Sequence, residues 1–210
     1  MKNIKTIIFD LGGVLINVEY MAPIRAFQKL GVEVNESWYA KATQNALFDD
    51  FEKGKISPVD FRNEIRKISG VNLTDDNIDS AWNSILLDFP KERMELLLNL
   101  KKKYRLFLLS NTNAIHIREF YNILERTFGK NPFPEIFDHC YYSHEMGLRK
   151  PDAEIFERVL KNHGLKPGET FFIDDSPQHV EGALKAGIRA HWLNLENERI
   201  IDIINGKLLV

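Results

Sequence analysis

Five short apolar runs are spread along this chain, and three of them stop abruptly at a polar side chain. Residues 7–9 run into Asp10 and then Gly12 and Gly13, residues 104–109 run into Ser110, and residues 170–173 run into Asp174. The other two runs are 140–142 and 190–193. Runs this short, apolar on both faces and followed by turn residues, read as strands buried in a sheet. Patterns of helical period separate the later ones, at 94–103, 114–127, 153–162 and a short 180–186 closed by Gly187. Strands that alternate with helices predict a parallel sheet covered by helices on both faces. In such sheets the ligand crevice lies at the carboxyl ends of the strands, where Asp10, Ser110 and Asp174 all fall.

The stretch 19–88 breaks this rhythm, with no convincing strand. It reads as helices over 22–30, 36–48, 58–68 and 75–87. Ser57 before Pro58 and Thr74 before two acids read as helix starts. The expected organisation is an α/β core of residues 1–18 and 89–210 with a helical cap of residues 19–88 inserted after the first strand. The 210 residues suit one domain carrying one such insertion.

Composition narrows the function. The chain has 28 Lys and Arg against 30 Asp and Glu, a formal charge of −2, and so lacks the basic footprint of a nucleic-acid binder. No apolar stretch approaches the ~18 residues of a membrane span. Cys140 is the single cysteine, which excludes an intrachain disulfide and fits a small core residue in a reducing compartment. The first residues lack a secretory pattern, so a cytoplasmic location is the expectation.

Four places carry candidate chemistry, each with a structural alternative. Asp10 aims a carboxylate into the crevice or caps a turn. Ser110 and Asn111 offer a hydroxyl and an amide to phosphate oxygens, or start a helix. Lys150, just before Pro151 and Asp152, neutralises a phosphoryl group or sits in a solvated basic turn. Asp174 and Asp175 repel each other at a strand end, a conflict that a hard divalent cation with oxygen ligands removes. Otherwise they are a helix cap and its exposed neighbour. The histidines 116, 144, 179 and 191 show no metal-ligand spacing. His116 reads as a helix-surface residue or as a base near Ser110, and Tyr20, Trp38, Phe48, Phe51 and Trp82 as cap core or pocket wall.

Acid, serine, lysine and acid pair follow one another at spacings of 100, 40 and 24 residues. Together with Phe9-Asp10-Leu11-Gly12-Gly13, Ser110-Asn111, Gly147-Leu148-Arg149-Lys150-Pro151-Asp152 and Asp174-Asp175, this order resembles the haloacid dehalogenase (HAD) superfamily across nearly the whole chain. The turn at 51–57 looks like the cap of that family's sugar-phosphatase branch. The resemblance implies a HAD-like Rossmannoid fold with a helical-bundle cap. It implies that Asp10 is the nucleophile and forms an aspartyl-phosphate, that Ser110 and Asn111 hold phosphoryl oxygens, and that Lys150 steadies nucleophile and transferring group. It implies Mg2+ held by Asp10, Asp175, Asp174 directly or through water, and the carbonyl of Gly12.

Gly12 is also where the chain departs from the family pattern. Most of its phosphatases carry a second Asp there, as general acid and then base, and losing such a group costs about 10²–10⁴-fold. The branch acting on α-glucose 1-phosphate looks similar in having glycine at this position. The expected reaction is therefore Mg2+-dependent hydrolysis of a small phosphomonoester, a sugar phosphate such as glucose 1-phosphate, whose leaving group departs with little help. Two alternatives stand beside it: a HAD-like protein that binds a phosphorylated ligand without turnover, and a 2-haloacid dehalogenase. Those dehalogenases need no metal and lack the acid pair that this chain keeps. A phosphomutase would need the absent acid. The expected partner is a small phosphorylated metabolite, with neither nucleic acid nor membrane, and oligomeric state is not readable.

Overall fold

The computed structural model describes residues 3–34 and 46–207. Five strands, β1 (Thr6–Phe9), β2 (Arg105–Ser110), β3 (His139–Tyr142), β4 (Thr170–Asp174) and β5 (Arg189–Trp192), form one sheet in the order β3-β2-β1-β4-β5. Every pairing is parallel. β1 lies in the middle, with Phe9 paired to Leu108 on one side and Ile173 on the other. This register brings Asp10, Ser110 and Asp174 to the same edge.

Side chains alternate along the strands and fill two cores. Ile7, Phe9, Leu106, Leu108, Phe171 and Ile173 face one side. There they meet α5 (Lys91–Lys101), α6 (Ala114–Phe128), α7 (Phe133–Ile136) and α11 (Ile200–Lys207). Ile8, Phe107, Leu109 and Phe172 face the other, against α9 (Ala153–His163) and α10 (Pro177–Lys185). Both faces are thus buried, as a parallel sheet requires. α8 (Ser143–Met146) is one short turn after β3.

Residues between β1 and α5 pack mainly on a third apolar cluster, joined by Ile115 of α6. Here lie α1 (Ala22–Lys29), α2 (Leu47–Glu52), α3 (Pro58–Ser69) and α4 (Asp75–Asn83). Capping boxes open two of them: Ser57 with Asp60 on α3, and Thr74 with Asn77 on α4.

The helix expected at 36–48 falls largely outside the described residues, as does Trp38. Its described end continues as α2 to Glu52, so the turn expected from 51 begins only at Lys53. The helix expected to reach 87 ends at Asn83, because the chain turns to pair with the segment after β1: Leu86 bridges Val18, and Leu87 N–H donates to Asn17 O. α5 and α10 begin three residues before their expected starts. Their first turns, Lys91-Glu92-Arg93 and Pro177-Gln178-His179, are polar, so hydrophobic period misses them. Among the described residues no helix is long and apolar enough to cross a membrane.

Candidate active site

The carboxyl edge of the sheet floors a cleft of about 480 Å3. Asp10 follows β1, and its N–H donates to Ile173 O at 2.9 Å, fixing it to β4. Its carboxylate accepts a 2.6 Å hydrogen bond from Lys150 Nζ. The same ammonium donates to Asp174 Oδ2 at 2.6 Å and to Leu109 O at 2.8 Å. All three of its N–H donors are therefore used, and the side chain is fully buried. The structure thus selects the charged role for Lys150 over the solvated turn.

Asp174 is not the helix cap, a position held by Ser176, but ties the turn before α10 to Lys150. Oδ2 meets Lys150, while Oδ1 accepts from Ser176 N–H at 2.8 Å and from His179 Nδ1 at 2.9 Å. It closes its own turn and anchors the lysine at once. Asp175 faces the cleft and accepts a 2.7 Å hydrogen bond from Tyr20 at Oδ2. Gly13 explains the glycine pair: its φ is +71°, and a Cβ there would lie 2.6 Å from Asp175 Oδ2. At Gly12, by contrast, the nearest atom to a built Cβ is Val18 Cγ1 at 3.6 Å.

The loop after β2 divides its labour. Asn113 caps α6, accepting from the N–H groups of Ile115 and His116. Ser143 Oγ brackets Thr112 with two 2.9 Å hydrogen bonds. Asn111 exchanges a reciprocal pair with Lys150: Nδ2 donates to Lys150 O and Oδ1 accepts from Lys150 N–H, each at 2.9 Å. Its amide therefore grips the lysine's peptide while the residue still lines the cleft, with Nδ2 3.5 Å from His179 Nε2. The Ser110 hydroxyl is left at the cleft floor, 3.5 Å from Asn111 O.

Charge in this cluster is lopsided. Asp10, Asp174 and Asp175 surround one ammonium, an excess of two negative charges when all are ionised. Burial opposes the charge on Lys150, but Asp10 and Asp174 outweigh it and hold the lysine above its usual pKa. Burial likewise opposes ionisation of Asp174, and there Lys150 and His179 win, holding it low. Asp10 carries the surplus: burial, seconded by the other two acids against Lys150, pushes it up to about 8. Asp175 is raised by burial and by Asp174. Carboxylate oxygens of Asp10, Asp174 and Asp175 lie within 4.8 Å of one another. A divalent cation cancels the excess charge, and an all-oxygen donor set suits Mg2+.

Sequence reasoning did not assign His179, Arg149 or Glu52 to the site, and all three line the cleft, as does Tyr20, which the sequence left between cap core and pocket wall. His116 lines it too, as neither a helix-surface histidine nor a free base. Its ring stacks on Trp82 at 5.1 Å, Nε2 donates to Trp82 O, and Nδ1 accepts from Asn113 Nδ2. Burial holds its pKa down at about 4.

A family profile for haloacid dehalogenase-like hydrolases matches residues 4–187. The chain belongs to this family. Within it, the chain is similar to D-ribitol-5-phosphate phosphatase of Bacteroides thetaiotaomicron, 32% identical over 177 residues, covering 84% of this chain and 85% of the relative. It is similar also to a sesquiterpene phosphatase of Aspergillus oryzae, 30% identical over 187 residues, covering 88% and 87%. A HAD-family enzyme of Bacteroides thetaiotaomicron, solved with magnesium and inorganic phosphate, superposes with a TM-score of 0.83 at 38% identity, covering 93% of this chain and 96% of that one. This HAD-like hydrolase is thus a phosphoric monoester hydrolase, and its cofactor is Mg2+.

Proposed function

We propose that the protein hydrolyses a small, hydroxyl-rich phosphomonoester, a sugar or polyol phosphate, through an aspartyl-phosphate on Asp10. The observation that carries this reading is the fully buried Lys150 ammonium, held at 2.6 Å from both Asp10 and Asp174 at the edge of the cleft. Such an ammonium opposes the burial that raises Asp10, holds its carboxylate in place, and faces the negative charge that gathers during phosphoryl transfer. An Asp10 oxygen attacks phosphorus as the ester P–O bond breaks. The leaving oxygen takes its proton from solvent, because residue 12 is glycine and supplies none. Water then cleaves the acyl phosphate, returning Asp10 and releasing inorganic phosphate.

Ser110 is the cleft-floor group that meets a phosphoryl oxygen. Asn111 acts through Lys150, by holding its peptide. Asp10, Asp175 and the Gly12 carbonyl would hold Mg2+, with Asp174 beside them tied to Lys150 and His179. When bound, the ion supplies positive charge between the two approaching anions. The helices of 19–88 form a cap over the cleft, to which they contribute Tyr20 and Glu52, and enclosing the site limits substrate size.

The missing acid favours esters whose alcohol leaves readily, which keeps glucose 1-phosphate among the expected substrates. The ribitol-5-phosphate phosphatase relative adds pentitol phosphates to the panel. Phosphate release should be measured from glucose 1-phosphate, glucose 6-phosphate, ribitol 5-phosphate and an aryl phosphate, with Mg2+ or chelator, beside Asp10→Asn. Release that needs both Mg2+ and Asp10, with glucose 1-phosphate ahead of glucose 6-phosphate, is the expected result. Release unaffected by Asp10→Asn would refute the nucleophile. Failure on every ester would favour a ligand-binding role.

A further inference from the structure

We propose that Glu52 and Arg149 form the hydroxyl-reading end of the cleft and set its preference for polyol-type leaving groups, an inference that rests on the phosphatase reading above. Both residues line the cleft that holds Asp10. Glu52 is the last residue of α2, and Arg149 immediately precedes Lys150. The reciprocal hydrogen bonds from Asn111 fix the backbone of Lys150, so Arg149 springs from a point held firmly relative to the nucleophile.

The pair has unspent polar capacity. Glu52 Oε2 lies 2.8 Å from Arg149 Nη2. That oxygen is thus held by the ion pair, while among the described residues Arg149 Nε is buried without a hydrogen-bond partner. Buried polar atoms are nearly always matched, and leaving one unmatched is costly. About a quarter of each side chain is exposed, 27% for Glu52 and 25% for Arg149. A hydroxyl is donor and acceptor together. Set against the exposed quarter of the pair, it gives a proton to the carboxylate and takes one hydrogen bond from the guanidinium.

Charge decides which ligand fits. Arg149 Nη1 already donates to Asp49 at 2.6 Å, and Glu52 adds a second carboxylate. A guanidinium so neutralised is a poor clamp for a second phosphate and a good one for neutral hydroxyls. Burial raises the pKa of Glu52 despite Arg149, so its carboxylate stands to gain from an added donor. Ile16, Val18, Ile85 and Leu86 line the same cleft and suit the carbon chain between phosphate and hydroxyl.

The test compares kcat/KM for ribitol 5-phosphate and for p-nitrophenyl phosphate, which has no aliphatic hydroxyl, with Mg2+ present. The wild-type ratio is the reference, because with glycine at residue 12 the better-leaving aryl alcohol is favoured on chemistry alone. Glu52→Gln should lower the polyol-to-aryl ratio about tenfold or more, mostly through the KM of the polyol ester, as the loss of a hydrogen bond to a charged group predicts. Asp49→Asn, which breaks the other half of the Arg149 pairing but does not line the cleft, should keep the ratio within about twofold. An unchanged ratio in Glu52→Gln, or an equal shift in Asp49→Asn, overturns the assignment. A wild type that releases phosphate from neither ester instead removes the phosphatase reading beneath it.

Discussion

Replacing Lys150 by Met keeps most of the side-chain volume and removes the charge on which the cluster is organised. Its Nζ meets Asp10 at 2.6 Å, Asp174 at 2.6 Å and Leu109 O at 2.8 Å with no solvent contact, so nothing nearby replaces it. Removing one partner of a buried ion pair costs about 3–5 kcal/mol, and an unmatched carbonyl adds roughly 1–3. One relaxation offsets part of this. Asp10 is already pushed up to about 8, so without Lys150 it takes a proton and hydrogen-bonds rather than repels. The net loss should be about 3 kcal/mol, a large share of the 5–15 kcal/mol that typically holds a domain. With a urea slope near 2 kcal/mol per molar, the midpoint should fall by roughly 1.5 M in chelator. Mg2+ should then stabilise the variant more than wild type, because it displaces the proton from Asp10 and neutralises three carboxylates that no ammonium offsets. The assay is urea unfolding followed by circular dichroism, for both proteins in chelator and in Mg2+. A loss below about 1 kcal/mol in chelator, or a Mg2+ gain no larger than that of wild type, would refute the charge argument.

Two other perturbations probe the same region. Gly12→Asp should fit, since the Gly12 φ is outside the left-handed region and a Cβ there meets only Val18 Cγ1 at 3.6 Å. A restored acid should raise kcat on an alkyl phosphate by about 10²-fold and hardly change an aryl phosphate, and an equal gain on both would sink the leaving-group argument. His116 is held at about 4 in the fold against 6.5 for the free side chain. Between those values the unfolded chain binds more protons, so stability is full above pH 6.5 and falls as pH drops toward 4. The upper bound is about 3 kcal/mol, reduced to roughly 1–2 by solvent at the cleft-facing edge of the ring. His116→Gln should flatten that limb in a series of melting temperatures against pH, and an unchanged slope would show that other groups carry it.

The sheet and the ends of its strands were legible for one physical reason. Strands buried on both faces tolerate no polar residue, so Asp10, Ser110 and Asp174 stand out where the apolar runs stop. Parallel pairing followed from the alternation with helices, whereas the strand order is seen only in the structure. Roles that depend on crossing segments were not legible. The spacing of Asn111 cannot reveal its structural contact, the loop carrying Lys150 passing within 2.9 Å of its amide. His179 was hidden by the polar first turn of α10, which brings it back onto Asp174. Glu52 and Tyr20 lie in the helical insertion, 97 and 155 residues from their partners Arg149 and Asp175. No local pattern joins residues so far apart.

Asp10, Lys150 and Asp174 all issue from the α/β core, and the hydrogen bonds that place them come from the core as well. The helical insertion touches the chemistry mainly through Tyr20 and the wall around Glu52. Reaction and selectivity are therefore separable inheritances only in part. Drift or design at the Glu52 end of the insertion can retune the alcohol that is accepted while the phosphoryl-transfer machinery passes on unaltered, whereas changes at Tyr20, bonded to Asp175, or at Arg149, beside Lys150, reach the reaction itself.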